Sequence, residues 1–124
     1  MVNAPSLVIA ILDDEEDFRR ALSRLLKAHG YEVVTVATGE ALLDEIAQRR
    51  IDCVLLDLHM PGMSGFDVLA ALQRQERSPP VIAITARDDP EFERRALALH
   101  AFECQRKPVG ALKLIAAIER ARAR

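Results

Sequence analysis

A chain of 124 residues, 50% of them hydrophobic, has the material for one folded domain with a real core. A domain of this size buries roughly two-thirds of its unfolded surface, so it needs no disulfide staple. The formal net charge of -2, from 17 basic and 19 acidic residues, argues against a bulk nucleic-acid or membrane surface.

Along the chain, short apolar runs alternate with longer amphipathic stretches. Leu7 to Leu12 is an unbroken apolar run that leads into the acidic cluster Asp13-Asp14-Glu15-Glu16. Phe18, Ala21, Leu22, Leu25 and Leu26 then recur at helical spacing, with Gly30 as a stop. Val33 to Val36 is β-branched and strand-like. Thr38 opens the next helix as an N-cap, and Leu42, Leu43, Ile46 and Ala47 form its apolar stripe. Cys53 to Leu56 is a third strand, and Pro61, Gly62, Ser64 and Gly65 turn the chain into a helix carrying Phe66, Leu69 and Leu72. Val81 to Ile84 is the fourth strand. Asp89-Pro90 reads as a cap and first helical position, with Phe92, Ala96 and Leu99 on one face. Ala101 to Gln105 follows as a strand that carries Glu103 and Gln105. Ala111, Leu114, Ile115 and Ile118 close the chain as a helix whose last arginines, Arg120, Arg122 and Arg124, suit the negative end of the macrodipole.

Apolar strands separated by helices predict a parallel sheet covered on both faces, with right-handed crossovers and a doubly wound α/β fold. Residues 1–124 are read as a single domain. The N-terminus lacks a basic stretch followed by a long apolar run, and no segment approaches the ~20 apolar residues of a membrane span. The expected setting is cytoplasmic, with no membrane and no nucleic acid contacted by this domain. His29, His59 and His100 are too far apart for zinc-ligand spacing, and Cys53 and Cys104 form no metal or disulfide pattern.

In such a sheet the ligand lies at the carboxyl ends of the strands. The first strand ends at Asp13 and Asp14, the third at Asp57, the fourth at Thr85-Ala86, and the fifth leads to Lys107-Pro108. Each has an ordinary reading alone: a solvated loop or helix cap, a turn cap, a strand-end threonine, a loop dipeptide. On one edge together, coincidence is a poor explanation. Carboxylates ~5 Å apart repel by roughly 3 kcal/mol per pair at an effective dielectric near 20, so the cluster requires a cation. Hard oxygen ligands left partly open to water suit Mg²⁺. Asp57 is then a carboxylate nucleophile toward phosphorus, with Lys107 and Thr85 neutralising charge on the phosphoryl oxygens.

The stretches LVIAILDDEED, VLLDLHMPGMSGFDVL, VIAITA and FECQRKPV resemble the motif set of bacterial two-component response-regulator receiver domains. The resemblance runs from Leu7 to about Arg120. It implies a flavodoxin-like, five-stranded sheet in the order 2-1-3-4-5 with five helices. It implies Asp57 as phosphoacceptor, Asp14 as a direct metal ligand, Asp13 as a ligand through water and the His59 main-chain carbonyl as another ligand. Thr85 would be the switch hydroxyl, Lys107 the phosphate-pairing ammonium, and Ala86 the small residue that leaves the phosphoryl approach open. A sensor histidine kinase or phosphotransfer protein is the implied donor, a homodimer through the fourth helix, fifth strand and fifth helix a possible assembly, and a cis peptide precedes Pro108. Residues such as His59 and Arg87, two beyond Asp57 and Thr85, flank the approach of hydrolytic water in the family, although both can equally point to solvent.

One position departs from the family. Where it usually carries Tyr or Phe, three residues before the Lys-Pro pair, this chain has Cys104. A receiver-fold binding module with constitutive or atypical output is therefore the main alternative to a phosphorylation switch. A haloacid-dehalogenase-like phosphatase needs a second Asp where His59 stands. A flavin carrier needs a glycine- and hydroxyl-rich phosphate loop where the acidic cluster stands. The expectation is a switch rather than an enzyme.

Overall fold

The computed structural model describes residues 6–86 and 90–123. Strands and helices alternate: β1 (Val8–Leu12), α1 (Glu16–Ala28), β2 (Glu32–Val36), α2 (Gly39–Gln48), β3 (Cys53–Asp57), α3 (Gly65–Gln73), β4 (Val81–Thr85), α4 (Pro90–Ala98), β5 (Glu103–Arg106) and α5 (Ala111–Ala123). The five strands form one sheet in the order β2-β1-β3-β4-β5, parallel throughout. This is the expected doubly wound, flavodoxin-like arrangement.

The sequence of each strand states its place. β1, β3 and β4 are buried at every residue, as central strands covered on both faces must be. β2 and β5, at the edges, hold partly buried and exposed residues. Alternate side chains divide the core in two. Ala10, Leu12, Val54, Leu56 and Ala83 pack with Leu42, Leu69, Leu72 and Ala96 on the side of α2, α3 and α4. Ile9, Ile11, Leu55, Ile82 and Ile84 pack with Leu22, Leu26, Leu114 and Ile118 on the side of α1 and α5.

Local signals fix the ends. Thr38 Oγ1 accepts from the Ala41 amide at 3.2 Å and caps α2. Ser64 and Asp67 form a reciprocal capping box that starts α3. Gly30, at φ 91°, ends α1 in a Schellman turn, with Tyr31 N donating to Leu26 O and Gly30 N to Lys27 O. α4 ends the same way, but with His100 at φ 67° in the position that favours glycine. Ala101 N donates to Ala96 O and His100 N to Leu97 O. This turn consumes Ala101, so β5 starts at Glu103 rather than at the expected Ala101. The peptide bond before Pro108 is cis. The expected cap Asp89 lies outside the described residues, as does Arg87. No helix of the described residues is long and apolar enough to cross a membrane.

Candidate functional site

Parallel strands all end on one edge, and that edge collects the residues singled out by the sequence. Asp13, directly after β1, is buried. Its Oδ1 accepts from the Glu15 amide at 2.8 Å, and its main-chain carbonyl accepts from Arg19 at 2.6 Å. Asp57, the last residue of β3, is 3% exposed, and its Oδ1 accepts from the His59 amide at 2.9 Å. Asp14 is exposed. Ligand oxygens of Asp13, Asp14 and Asp57 lie within 4.8 Å of one another.

This crowding has an electrostatic consequence. Burial first, and then the charges of Asp13 and Asp14, push the Asp57 carboxyl up to about 6, against the opposing His59 amide and Lys107. Lys107 Nζ lies 2.9 Å from Asp13 Oδ2 and 3.0 Å from Glu15 Oε1, and 4.2 Å from the Phe18 ring centroid. Burial pulls the ammonium's pKa down, but the hydrogen bonds to Asp13 and Glu15 outweigh it and the net shift is upward. The Lys107 amide donates to the Thr85 carbonyl at 2.8 Å, which ties the ends of β4 and β5 together. Thr85 is buried, one residue beyond Ile84, which registers with Asp57.

Three features were not legible in the sequence. Glu15 is a second carboxylate on Lys107; its place in the acidic cluster was the available signal. The close approach of Gly65 to the Asp57 backbone had none beyond its position after a helix cap. The third is the His59 side chain, which does not simply face solvent: its Nε2 lies 2.8 Å from Thr85 Oγ1, and its ring stacks on Phe92 of α4. Cys104, half-buried on β5, borders a groove of about 550 Å³ between α4, β5 and α5 that Thr85 and Gln105 also line.

Residues 9–119 match the family model of the response regulator receiver domain. The chain belongs to this family. It is 43% identical over 110 residues to the sensory transduction protein RegX3 of Mycobacterium tuberculosis, an alignment that takes in 89% of this chain and 48% of that protein. The chain thus spans about half the length of this curated relative. Among solved structures, the receiver domain protein of Clostridium thermocellum superposes with a TM-score of 0.87 at 33% identity, over 94% of both chains. Chemotaxis protein CheY4 of Vibrio cholerae superposes with a TM-score of 0.86 at 28% identity, over 94% of this chain and 99% of that one. Membership makes this receiver domain a module of phosphorylation-dependent signalling.

Proposed function

We propose that this receiver domain accepts a phosphoryl group on Asp57 from a sensor histidine kinase or a phosphohistidine carrier, in a Mg²⁺-dependent reaction. The carrying observation is the cluster of Asp13, Asp14 and Asp57 oxygens within 4.8 Å of one another, with the Lys107 ammonium 2.9 Å from Asp13. The donor set fits a hard divalent cation: the oxygens are carboxylates, and burial together with the charges of Asp13 and Asp14 already raises Asp57 to about 6. Asp13, Asp14, Asp57 and the His59 carbonyl would hold Mg²⁺, which would supply positive charge beside the phosphoryl oxygens.

In the transfer, an Asp57 carboxylate oxygen attacks phosphorus. A P–O bond forms as the P–N bond of the phosphohistidine breaks, and the imidazole leaves and takes up a proton. Lys107 pairs with one phosphoryl oxygen and Thr85 donates its hydroxyl proton to another. A cytoplasmic setting goes with this reading, because that is where such donors present their phosphohistidine. The α4–β5–α5 face is the surface on which a second copy would dock.

Acetyl phosphate should label the parent only when Mg²⁺ is present, and Asp57→Asn should not be labelled. Labelling that survives chelation, or that persists in Asp57→Asn, would sink the proposal. Cys104 favours a second reading, a binding module whose output ignores phosphate. The marker of that reading is an α4–β5–α5 surface that does not respond to beryllofluoride, a phosphoryl mimic, in protein that binds it.

A further inference from the structure

The loop after β3 carries one residue with contacts in three directions. The His59 amide donates to Asp57 Oδ1 at 2.9 Å. Its Nε2 lies 2.8 Å from Thr85 Oγ1. Its ring stacks on Phe92, with centroids 4.6 Å apart and planes 17° from parallel. Phe92 in turn meets the edge of Phe66 on α3 at 5.3 Å, and the Arg95 guanidinium of α4 lies 3.9 Å from the Phe66 ring centroid. A continuous line of contacts therefore runs from the Asp57 carboxylate, past the Thr85 hydroxyl, to α4.

The β5 side of Thr85 is built differently. Thr85 registers with Arg106, while Cys104 pairs with Ala83 two residues back and borders, with Thr85, a groove of about 550 Å³. A thiol has neither the length nor the rigidity of a ring, so Cys104 is no stiff lever for a displacement of Thr85. On the other side such a displacement finds an imidazole at hydrogen-bond distance, stacked on a helix.

We propose that His59 is a positioning residue for Thr85, and that the His59–Phe92 stack transmits displacement of the Thr85 hydroxyl to α4. The inference rests on Asp57 as phosphoacceptor. A threonine hydroxyl has one proton to donate. If that proton is given to Nε2 it must leave His59 when Thr85 turns toward a phosphoryl oxygen, and if Nε2–H is the donor the bond must follow the displaced Oγ1. The imidazole then moves or rotates, and the face-to-face stack makes Phe92 follow. Offset-stacked rings attract each other beyond simple area burial, so the stack can bias α4 between two nearby positions.

The test is nuclear magnetic resonance of the folded protein with Mg²⁺, with and without beryllofluoride. The parent should show amide shift changes along residues 90–98 and a change in the His59 Nε2 resonance. His59→Phe keeps a ring for stacking and loses the bond to Thr85. Phe92→Leu keeps the bond and loses the stack. Phe92→Leu should still bind beryllofluoride within about threefold of the parent, and both variants, compared at saturating beryllofluoride, should show an α4 response at least halved. Thr85→Val should abolish the His59 Nε2 change, a signature that a merely structural histidine would not give. An α4 response undiminished in both His59→Phe and Phe92→Leu, in protein that still binds beryllofluoride, overturns the proposal alone. A parent that does not bind beryllofluoride removes the phosphoacceptor reading and this proposal with it.

Discussion

Lys107 Nζ lies 2.9 Å from Asp13 Oδ2, and the two side chains are 15% and 2% exposed. The second partner of Lys107, Glu15, is 67% exposed on its side chain. The two contacts have similar lengths and unequal weight, since water screens the exposed one and not the buried one. Glu15→Gln should therefore change stability by less than about 1 kcal/mol, read by urea unfolding. Lys107→Met removes a cation that holds the Asp57 pKa down, so Asp57 should titrate above its present value of about 6. Carbon-detected titration of the Asp57 carboxyl in metal-free protein checks this; a downward move would contradict the electrostatics.

The raised Asp57 pKa also fixes the sign of a pH effect on stability. Below the ordinary carboxylate value of ~4, Asp57 is protonated in folded and unfolded chains alike and carries no penalty. As pH rises, the unfolded chain releases the proton first, while the folded domain holds it to about 6. The stability tied to the bound proton is thus lost across this window. Without metal, Asp57→Asn should be more stable than the parent near neutral pH by on the order of 2 kcal/mol, and the gap should close at about pH 4. Added Mg²⁺ should narrow the gap by stabilising the parent. A gap that persists at low pH would assign it to packing instead.

A Cβ on Gly65 would sit 2.5 Å from the Asp57 carbonyl oxygen and 2.7 Å from Leu58 Cα. Both obstacles are backbone, so neither can swing aside. Gly65→Ala should cost about 1–3 kcal/mol and slow labelling by acetyl phosphate, because the displaced segment carries Asp57, the proposed acceptor. Unfolding curves and labelling rates together check this; a variant with parental values of both would show that the helix start has slack.

The central architecture was legible because β1, β3 and β4 are uninterrupted apolar runs, and polar residues that end such runs must lie on one edge of a parallel sheet. Thr38 and Gly30 were legible as helix ends because their chemistry is local. The start of β5 was not, since His100 holds a backbone conformation that nothing in its own chemistry announces. Nor was the path from Thr85 through His59 to Phe92. Those contacts join residues 26 and 33 positions apart in sequence, and periodicity within one element carries no information about partners on another.

His100 invites a direct test of that turn. At φ 67° its Cβ crowds the backbone, and glycine would adopt the same conformation freely. The gain is partly offset, because glycine makes the unfolded chain more flexible. His100→Gly should raise stability by about 0.5–1 kcal/mol without altering labelling of Asp57. A loss of stability in thermal unfolding would show that the imidazole itself supports the turn.

The two thiols should behave as separate, slow groups. Cys53 is buried on β3 and Cys104 half-buried on β5, with β4 between them. Strands two places apart are ~10 Å from each other, beyond the ~7 Å that a disulfide allows between Cα atoms. Burial first, then the charges of Glu93 and Glu103, push the Cys104 thiol up to about 11. The thiolate is the reactive form, so at neutral pH Cys104 should react with an aromatic disulfide roughly a hundredfold more slowly than an unperturbed thiol. Cys53 should react only as the domain opens, in step with its unfolding rate. In denaturant both should titrate at once. Glu93→Gln together with Glu103→Gln should speed Cys104 by lowering its pKa, while leaving Cys53 unchanged. Loss of both thiols in a folded monomer after mild oxidation would place the two cysteines in contact, and would contradict a sheet in which β4 separates them.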